Sequence, residues 1–421
     1  MISLKYIREN QENVKKTLNA KRVDFDLDKL LQLDVEWRKN LNKVEDLKSL
    51  RNTVSKEIAK LKSKNIDCKE KIEHMREVSE HIKIVDEKTD LIKESIDSSL
   101  LYIPNIIHSS VPIGETEQHN VLVREFGQKP SFDFEVKDHL QIAEHLKLLD
   151  MPRGAKIAGS GFPLYTGKGA KLERALISFM LDQHCNNGYT ELFPPFLTTQ
   201  NTTQVTGQLP KFEEDMYYVS KDDLYCIPTA EVPITSYYKN ETLSEEDLPK
   251  KFAAYSACFR REAGSYGKDT KGLLRVHQFN KVELVKFVSP DKSYSELELL
   301  VKDAEKILQL LGLHYRILEL NSSDLSFSAS KCYDIEVWSP AERKYLEVSS
   351  CSNFESFQAR RGNIRFRDTN KKMNYLHTLN GSGIATPRLM VAILETFQKD
   401  NGAVEIPEVL HEYFNSKQID V

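Results

Sequence analysis

A carboxylate stands inside an apolar, strand-like run at residues 281–287. The run Lys-Val-Glu-Leu-Val-Lys-Phe alternates, so Glu283 shares one face with Val285 and Phe287. Burying a carboxylate is costly unless a cation meets it. We therefore expect a cationic partner, which is either an internal arginine in a structural salt bridge or the ammonium group of a bound small molecule.

A second strand-like run, residues 345–353, places oxygen-bearing side chains near a strand end. Glu347 supplies a carboxylate, and Ser350 supplies a hydroxyl group. Hard cations such as Mg²⁺ prefer oxygen ligands of this kind. The run predicts a Mg²⁺ site at these two residues.

A short loop at residues 227–233 has a proline on each side of its polar residues. Pro228 and Pro233 restrict the backbone around Thr229 and Glu231. A rigid polar loop is a suitable binding element. Surface loops often have the same composition, so the pattern leaves both interpretations open.

Arginines stand at strand ends and at the start of a predicted helix. Arg260 ends the run 252–260 and enters a loop rich in Gly, Ser and Lys, and Arg275 stands where the chain returns. Arginines on both sides of a loop predict an anion clamp. Arg388 follows Thr386, which we expect to cap a helix, and Pro387, which suits the first helical position. Its side chain would then lie at the positive end of the helix dipole.

Together these residues predict a polyphosphate site beside a site for an amino-bearing small molecule, as nucleotidyl transfer to an amino acid would require. The sequence contains no G-x-x-x-x-G-K-[ST] loop and no strand–G-x-G-x-x-G–helix unit. A nucleotide would therefore be bound by charged side chains on a sheet.

Strand-like runs and helices alternate from about residue 121 onward, and they must hold these charged residues in place. A helix is predicted at 171–186, and strands are predicted at 189–193, 252–260, 281–288, 315–320, 333–338 and 344–349. Several neighbouring strands have no long crossover between them. The pattern predicts an α+β domain with an antiparallel β-sheet flanked by helices.

Residues 28–96 carry a different pattern, with apolar positions spaced mostly by three and four. The spacing is heptad-like and is broken only by the short polar stretch 63–67. It predicts a long antiparallel helical hairpin whose arms reach about 50 Å. A scaffold or dimerisation coil has the same pattern. The lysines near the tip are either solvated or in contact with phosphates.

Composition limits the classes of protein further. The chain has 421 residues, 40% of them hydrophobic, and a formal net charge of −4, so we expect at least two domains and no overall basic character. No window is apolar enough for a membrane helix, and the first residues do not resemble a signal peptide. The six cysteines lack zinc-ligand spacing. We expect free thiols, no zinc, no membrane association and a cytoplasmic location, with an organelle matrix left open.

The same residues resemble the motifs of class II aminoacyl-tRNA synthetases, and the seryl branch in particular. Motif 1 resembles residues 176–196, with Pro195 in the position of its dimer-interface proline. Motif 2 resembles residues 259–267 and 277–283, and motif 3 resembles residues 383–388. The seryl branch is matched by Thr229-Ala230-Glu231, by residues 347–353 and by the long hairpin ahead of the catalytic domain. The resemblance covers essentially the whole chain and is closest to the bacterial type of seryl-tRNA synthetase.

This resemblance implies a tRNA-binding helical coiled-coil arm over residues 1–107 and a class II catalytic domain over residues 108–421. It implies an ATP-dependent ligase that activates L-serine as seryl-adenylate and transfers the seryl group to the 3′ end of tRNA(Ser). Whether tRNA(Sec) is also charged stays open. The implied enzyme is a homodimer that uses Mg²⁺ and binds tRNA through the arm.

The resemblance also implies roles for individual residues. Arg260 would bind the α-phosphate and the serine carboxylate, and Arg388 would grip the γ-phosphate and flank the adenine. Phe279 would stack on the adenine, which Glu262 and the backbone near Val276 would hold. The implied catalytic residues are Arg260, Arg388 and Glu347. The implied serine-binding residues are Thr229, Ala230, Glu231, Glu283 and Ser382. The implied ATP-binding residues are Arg260, Arg261, Glu262, Val276, Phe279, Glu347, Val348, Ser349, Ser350 and Arg388, of which Glu347 and Ser350 would also ligate Mg²⁺.

Two positions depart from the family pattern. Cys332 stands where Thr is usual before Tyr-Asp, and Thr386-Pro387 stands where Val-Gly is common before the motif 3 arginine. Neither change removes a charged contact, so we expect an active enzyme. A paralogue that loads a carrier protein would lack the hairpin, and an inactive scaffold would not need the charged set.

Overall fold

The computed structural model describes residues 1–262 and 271–421, which divide into two compact units. The smaller unit comprises Ser3–Asn19 and Val23–Ile103, and the larger comprises Met1–Ile2, Ala20–Arg22 and Pro104–Val421. Within the motif 2 resemblance, residues 263–267 lie outside the described residues.

The smaller unit is built around two long helices, as the heptad spacing predicts. The first four helices of the chain are α1 Leu4–Glu9, α2 Gln11–Ala20, α3 Leu27–Ser63 and α4 Lys69–Leu100. The Asp26 side chain accepts from the Lys29 backbone N–H and caps the start of α3. Met75, Val78 and Ile82 of α4 form an apolar cluster with side chains of α3. Leu50 of α3 is 42% exposed, so the apolar face of this helix is interrupted there.

The larger unit contains nine further α-helices among the described residues: α5 His139–His145, α6 Met151–Ala158, α7 Gly167–Asn186, α8 Gln200–Thr206, α9 Glu231–Thr235, α10 Ser293–Leu310, α11 Phe357–Gly362, α12 Thr386–Thr396 and α13 His411–Phe414. Its strands are β1 Val121–Phe126, β2 Thr190–Leu192, β3 Leu197–Thr199, β4 Tyr218–Val219, β5 Leu224–Cys226, β6 Thr242–Ser244, β7 Lys250–Phe259, β8 Gln278–Val288, β9 Tyr315–Glu319, β10 Lys331–Ser339, β11 Lys344–Asn353, β12 Arg365–Arg367, β13 Met373–Tyr375, β14 His377–Ala385, β15 Val404–Glu405 and β16 Gln418–Ile419.

An eight-stranded sheet in the order β1-β9-β10-β11-β14-β8-β7-β2 forms the centre of this unit. Every neighbouring pair is antiparallel except β2–β7, which is parallel. Apolar side chains of α7, α10 and α12 pack with the sheet in one continuous core. The predicted α+β fold with an antiparallel sheet flanked by helices is therefore confirmed.

Strand β14 carries an irregularity that bears on the site. Its register with β8 shifts between Ser382 and Ala385, and Ile384 adopts a φ of 100°. Positive φ is a strained conformation for a β-branched residue and is concentrated at functional sites. This bulge re-aims the chain as it enters α12.

No α-helix in the two described ranges combines the length and the apolar character needed to cross a membrane. All six cysteines are free thiols.

Candidate active site

A cavity of about 230 Å³ opens where the ends of β7, β8, β11 and β14 meet the start of α12. Eight of the residues implied by the family resemblance line it: Arg260, Glu262, Val276, Phe279, Glu347, Val348, Ser382 and Arg388. The other seven lie outside the lining: Thr229, Ala230, Glu231, Arg261, Glu283, Ser349 and Ser350. Leu273, Leu274 and Lys281 also line the cavity, and sequence reasoning did not single them out.

Arg260 and Phe279 form a cation–π pair at one wall of the cavity. The guanidinium carbon lies 5.1 Å from the ring centroid, and Nε donates to the Pro228 carbonyl at 3.4 Å. The Arg260 backbone N–H donates to the His277 carbonyl at 2.9 Å. This hydrogen bond joins the chain just after β7 to the chain just before β8. The pair presents a positive charge and an aromatic face together, a combination suited to a nucleotide.

The predicted clamp of Arg260 and Arg275 is not made of two unpaired arginines. Arg275 Nη1 lies 3.1 Å from Glu262 Oε2. This ion pair joins residues on the two sides of the loop, and both residues line the cavity. Glu262 has a φ of 52°. Arg261 is exposed, and its backbone N–H donates to the Asp215 carbonyl at 2.9 Å.

Arg388 lies in the first turn of α12 and spans two walls. Its Nη1 donates to the Glu347 carbonyl at 2.8 Å and lies 3.6 Å from Glu347 Oε2. Its Nε donates to the Leu274 carbonyl at 3.3 Å. The Arg388 side chain is thereby held between β11 and the segment around Leu274.

The expectation that Thr386 caps this helix is wrong. Thr386 is the first residue of α12, Ala385 is its N-cap residue, and Pro387 occupies the second position. The Thr386 hydroxyl instead donates to the buried carboxylate of Glu173 and lies 3.0 Å from the Asn280 carbonyl. An N-cap side chain accepts from a backbone N–H of the first turn, whereas Thr386 already lies inside the helix and its hydroxyl donates to Glu173.

Glu347 and Ser350 both lie on β11, and Glu347 lines the cavity. Glu347 is exposed, and the Ser350 hydroxyl lies 3.1 Å from the Cys332 thiol. Burial raises the pKa of Cys332 well above its ordinary value, so this residue stays a thiol that stands in for the usual threonine hydroxyl. The Ser349 hydroxyl donates to the Ser382 carbonyl at 2.6 Å and ties β11 to β14. Within residues 1–262 and 271–421, no group of three or more His, Cys, Asp or Glu side chains could hold a metal ion.

A buried acidic group adjoins the cavity through Lys281 and Ser382. Glu283 is 0% exposed and pairs with a cation as expected, but this cation is Lys281, two residues away on the same strand, and not an internal arginine. Its two oxygens also accept from the Thr229 hydroxyl and the Asn380 amide, each at 3.0 Å. Glu283 and Ser382 are register partners on β8 and β14.

Glu231 is a second buried carboxylate in this group. It is 6% exposed and begins the short helix α9, so the proline-flanked segment is partly helical. Burial, followed by the neighbouring Glu283, raises the pKa of Glu231 to about 7. Its Oε1 accepts from the Gln358 amide at 2.8 Å, and its backbone N–H donates to the Thr229 hydroxyl at 3.1 Å. Ala230 lies buried between these two residues.

Two family descriptions match the chain. Residues 1–107 match the seryl-tRNA synthetase N-terminal domain, and residues 212–397 match the class II core domain of tRNA synthetases for G, H, P, S and T.

Full-length relatives point the same way. A serine–tRNA ligase of Chloroherpeton thalassium is 52% identical over 426 residues and covers 100% of both chains. One of Caldicellulosiruptor saccharolyticus is 54% identical over 417 residues, with 99% of each chain covered. The crystal structure of the seryl-tRNA synthetase of Pyrococcus horikoshii complexed with ATP superposes with a TM-score of 0.94 at 38% identity, covering 100% of this chain and 99% of that one. The chain therefore belongs to the seryl-tRNA synthetase family, whose members are ATP-dependent class II aminoacyl-tRNA ligases.

Proposed function

We propose that this chain activates L-serine with ATP to give seryl-adenylate and pyrophosphate, and then transfers the seryl group to the 3′ end of tRNA(Ser). The observation that carries the proposal is the adjacency of two unlike sites. A cavity with guanidinium groups and an aromatic face adjoins a buried acidic group, and Lys281 and Ser382 belong to both. ATP and an amino acid need these two environments side by side.

ATP would occupy the larger cavity. Arg260 would meet the α-phosphate, and Arg388 would meet the γ-phosphate while lying against the adenine. Phe279 would stack on the adenine, whose polar edge would face Glu262 and the backbone at Val276. Support comes from the position of these five residues around one space of about 230 Å³. Arg261, Val348 and Ser349 would support the same walls.

Serine would occupy the acidic group with its ammonium end toward the carboxylates of Glu231 and Glu283. Thr229, Ala230 and Ser382 would complete the enclosure and contact the hydroxyl group. The support is chemical: among the described residues the Glu231 carboxylate accepts from the neutral Gln358 amide and forms no ion pair, and a buried carboxylate of this kind is stabilised by an arriving ammonium group.

Mg²⁺ fits the donor set of Glu347 and Ser350. Both residues offer oxygen atoms on the same strand, Glu347 lies beside Arg388, and Mg²⁺ in nucleotide sites is bound by one or two protein groups together with phosphate oxygens and water. When bound, the ion would neutralise part of the polyphosphate charge. The chain's own residues would aim the serine carboxylate at the α-phosphorus.

In the first step a carboxylate oxygen of serine would bond to the α-phosphorus while the bond to pyrophosphate breaks. Arg260 and Arg388 would compensate the charge on the phosphate oxygens, which is the main requirement of phosphoryl-type transfer. In the second step a terminal ribose hydroxyl of tRNA would attack the seryl carbonyl, and AMP would leave with the electron pair of the broken bond.

We also propose that residues 1–107 act as the tRNA-binding arm, that residues 108–421 act as the catalytic domain, and that the enzyme is a homodimer joined through the segment around Pro195. The arm proposal is supported by the separate helical unit. The dimer proposal is supported by the 74% exposure of Phe193 in that segment.

The test is ATP–pyrophosphate exchange with each of the twenty amino acids. Serine alone should support rapid exchange, and alanine should be rejected by about 10⁴ because a site built to hydrogen-bond a hydroxyl group is left unpaired by its absence. Exchange with alanine within tenfold of serine would contradict the proposed substrate. Charging of tRNA(Ser) and tRNA(Sec) transcripts in parallel decides the range of tRNA substrates.

A further inference from the structure

His139 and Glu395 form a buried pair outside the cavity. Their side chains are 1% and 0% exposed. Glu395 Oε1 accepts from the His139 backbone N–H at 3.1 Å and lies 3.2 Å from its Nδ1. The other oxygen, Oε2, accepts from the Ser339 hydroxyl and from the Ala341 backbone N–H. The carboxylate therefore holds both the position and the orientation of the imidazole ring.

This arrangement fixes the tautomer of His139. A proton on Nδ1 faces the carboxylate, so Nε2 keeps its lone pair. The backbone N–H of Leu273 donates to Nε2 at 3.3 Å. A ring that carried protons on both nitrogens could not accept this hydrogen bond.

The segment that meets the ring is shaped around it. Gly272 has a φ of 63°, and a Cβ atom at this position would come within 2.3 Å of His139 Nε2. Next to it, Lys271 Nζ lies 3.2 Å from Asp138 Oδ2. Residues 271–273 thus contact residues 138–139 through an ion pair, a close approach and a hydrogen bond in succession.

These contacts connect His139 to the cavity wall, and the cavity wall back to Glu395 through α12. We call this set of contacts, which joins His139, Leu273, Leu274, Arg388 and Glu395, the circuit. Leu273 is held by His139, and the adjacent Leu274 carbonyl accepts from Arg388 Nε. Arg388 and Glu395 lie on the same helix, α12, in its first and last turns. Residues 273–276 line the cavity on their other side. A shift of the imidazole ring would therefore displace this wall and the Arg388 side chain together.

We propose that His139 is a positioning residue that sets the geometry of the nucleotide site, and that Glu395 orients it. This inference rests on the proposed function because it assigns ATP to the cavity that residues 273–276 line. The inference predicts different effects on ATP binding and on serine binding, because these contacts do not include the buried acidic group. Loss of the contact to Leu273 should weaken ATP binding and leave serine binding almost unchanged.

Two substitutions separate the two sides of the ring. In His139→Asn the amide can reach Glu395 from the Nδ1 side but offers no acceptor at the Nε2 position. In His139→Gln the longer side chain offers an acceptor close to the Nε2 position. We expect His139→Asn to raise the KM for ATP by about tenfold or more, the scale of a small misplacement of a binding group. The KM for serine should change less than twofold, and His139→Gln should recover most of the ATP affinity.

His314→Asn serves as the matched control. His314 is also a buried histidine; its Nε2 lies 2.9 Å from the Tyr345 hydroxyl, and it is outside the cavity lining. This variant should lower the melting temperature without changing the KM for ATP. Calorimetric titration of each variant with ATP gives the affinity independently of turnover.

The outcomes are distinct. An Asn variant that binds ATP like the unaltered protein, or that loses serine and ATP affinity equally, would overturn the inference. So would a Gln variant no better than the Asn variant. If the unaltered protein shows no serine-dependent exchange, the proposed function fails instead.

Discussion

At the residue scale, the two buried carboxylates of the acidic group have different partners. Lys281 pairs directly with Glu283, whereas Glu231 accepts only from the neutral Gln358 amide among the contacts described above. Burial is the main reason why the pKa of Glu231 is raised to about 7, and the negative charge of the neighbouring Glu283 raises it further. An ammonium group beside Glu231 would supply the missing charge.

We therefore predict that serine binding releases a proton at about pH 6 and that serine affinity rises with pH up to about 7. Below its pKa of about 7 the free protein carries the proton on Glu231, while the ammonium of serine favours the carboxylate. Calorimetry in two buffers of different ionisation enthalpy counts the protons. Glu231→Gln should abolish the buffer dependence. Equal heats in both buffers for the unaltered protein at pH 6 would contradict the prediction.

The same shift has a consequence for stability. The unfolded chain releases this proton near the ordinary value of 4.5, and the folded protein releases it only at about 7. The contribution of Glu231 to the free energy of unfolding is therefore present below pH 4.5 and is lost as the pH rises through 7.

The two cavity arginines allow a second prediction. Arg260→Ala and Arg388→Ala should each lower the rate of seryl-adenylate formation by about 10² or more, the effect of removing one aimed donor. Pyrophosphate exchange measures this rate. Arg261→Ala is the control, because its side chain is exposed and outside the cavity lining, and it should have a much smaller effect. A folded Arg260 or Arg388 variant with near-normal exchange would refute the role assigned to it.

How far the sequence predicts the site depends on the distance between partners. The alternation around Glu283 correctly predicted that this carboxylate is buried and has a cationic partner, because residues two positions apart lie on the same face of a strand. The cation is Lys281, which the alternation also places on that face. The contacts of Glu231 with Gln358 and of Glu283 with Asn380 join residues about a hundred positions apart. No local pattern predicts such pairs, and His139 was missed for the same reason.

At the element scale, the start of α12 is tied to two other elements. Thr386 donates to Glu173 of α7, and Asn280 of β8 donates to the same carboxylate at 2.8 Å. Burial raises the pKa of Glu173. Its other oxygen, Oε2, has no hydrogen-bond partner among residues 1–262 and 271–421. The hydrogen bonds from Thr386 and Asn280 therefore compensate for the burial of the Glu173 carboxyl group.

We predict that Thr386→Val, which restores the residue common in the family, destabilises this chain by about 1–3 kcal/mol, because a buried acceptor loses a donor. Thr386→Ser keeps the hydroxyl group and should cost clearly less. Urea denaturation of the three proteins measures the differences. Equal stability of the Val and Ser variants would show that the hydroxyl group contributes nothing.

Helices and strands were predicted better than their ends. Apolar spacing gave the two long helices, α7 and the main strands, since each buries one continuous face. Strand β11 continues to Asn353, beyond the end predicted at 349 and as far as the strand-like run 345–353. The Ser349 hydroxyl donates to the Ser382 carbonyl and the Ser352 hydroxyl to the Cys332 sulfur, so these polar side chains are hydrogen-bonded. Capping by Thr386 was wrong because the helix begins at Thr386 itself, one residue earlier than predicted, and the hydroxyl donates to the distant Glu173.

At the scale of the whole molecule, the helical unit has its own apolar seam and few sequence connections to the rest. Replacing residues 37–96 by a short linker should leave serine-dependent pyrophosphate exchange largely intact, since every residue of the candidate site lies in the other unit. Charging of tRNA(Ser) should collapse. In the unaltered enzyme tRNA affinity should fall steeply with salt, and in the shortened protein this slope should flatten.

Aminoacylation rates and filter binding at several salt concentrations provide the measurement. The exchange rate of the same preparation is the internal control for folding. Equal charging of tRNA(Ser) by the shortened and complete proteins would disprove the role of the arm, and a loss of exchange would show that the two units do not function separately.

The ion pairs of Arg275 with Glu262 and of Arg388 with Glu347 have one more consequence. In each pair the carboxylate occupies the guanidinium group before an anion binds, and it thereby restricts the rotamers of a long, flexible side chain. Ordering such a side chain costs about 0.5–1.5 kcal/mol when it happens on binding. Here that entropy is lost when the chain folds, so an incoming anion exchanges one ionic partner for another instead of capturing a freely rotating one.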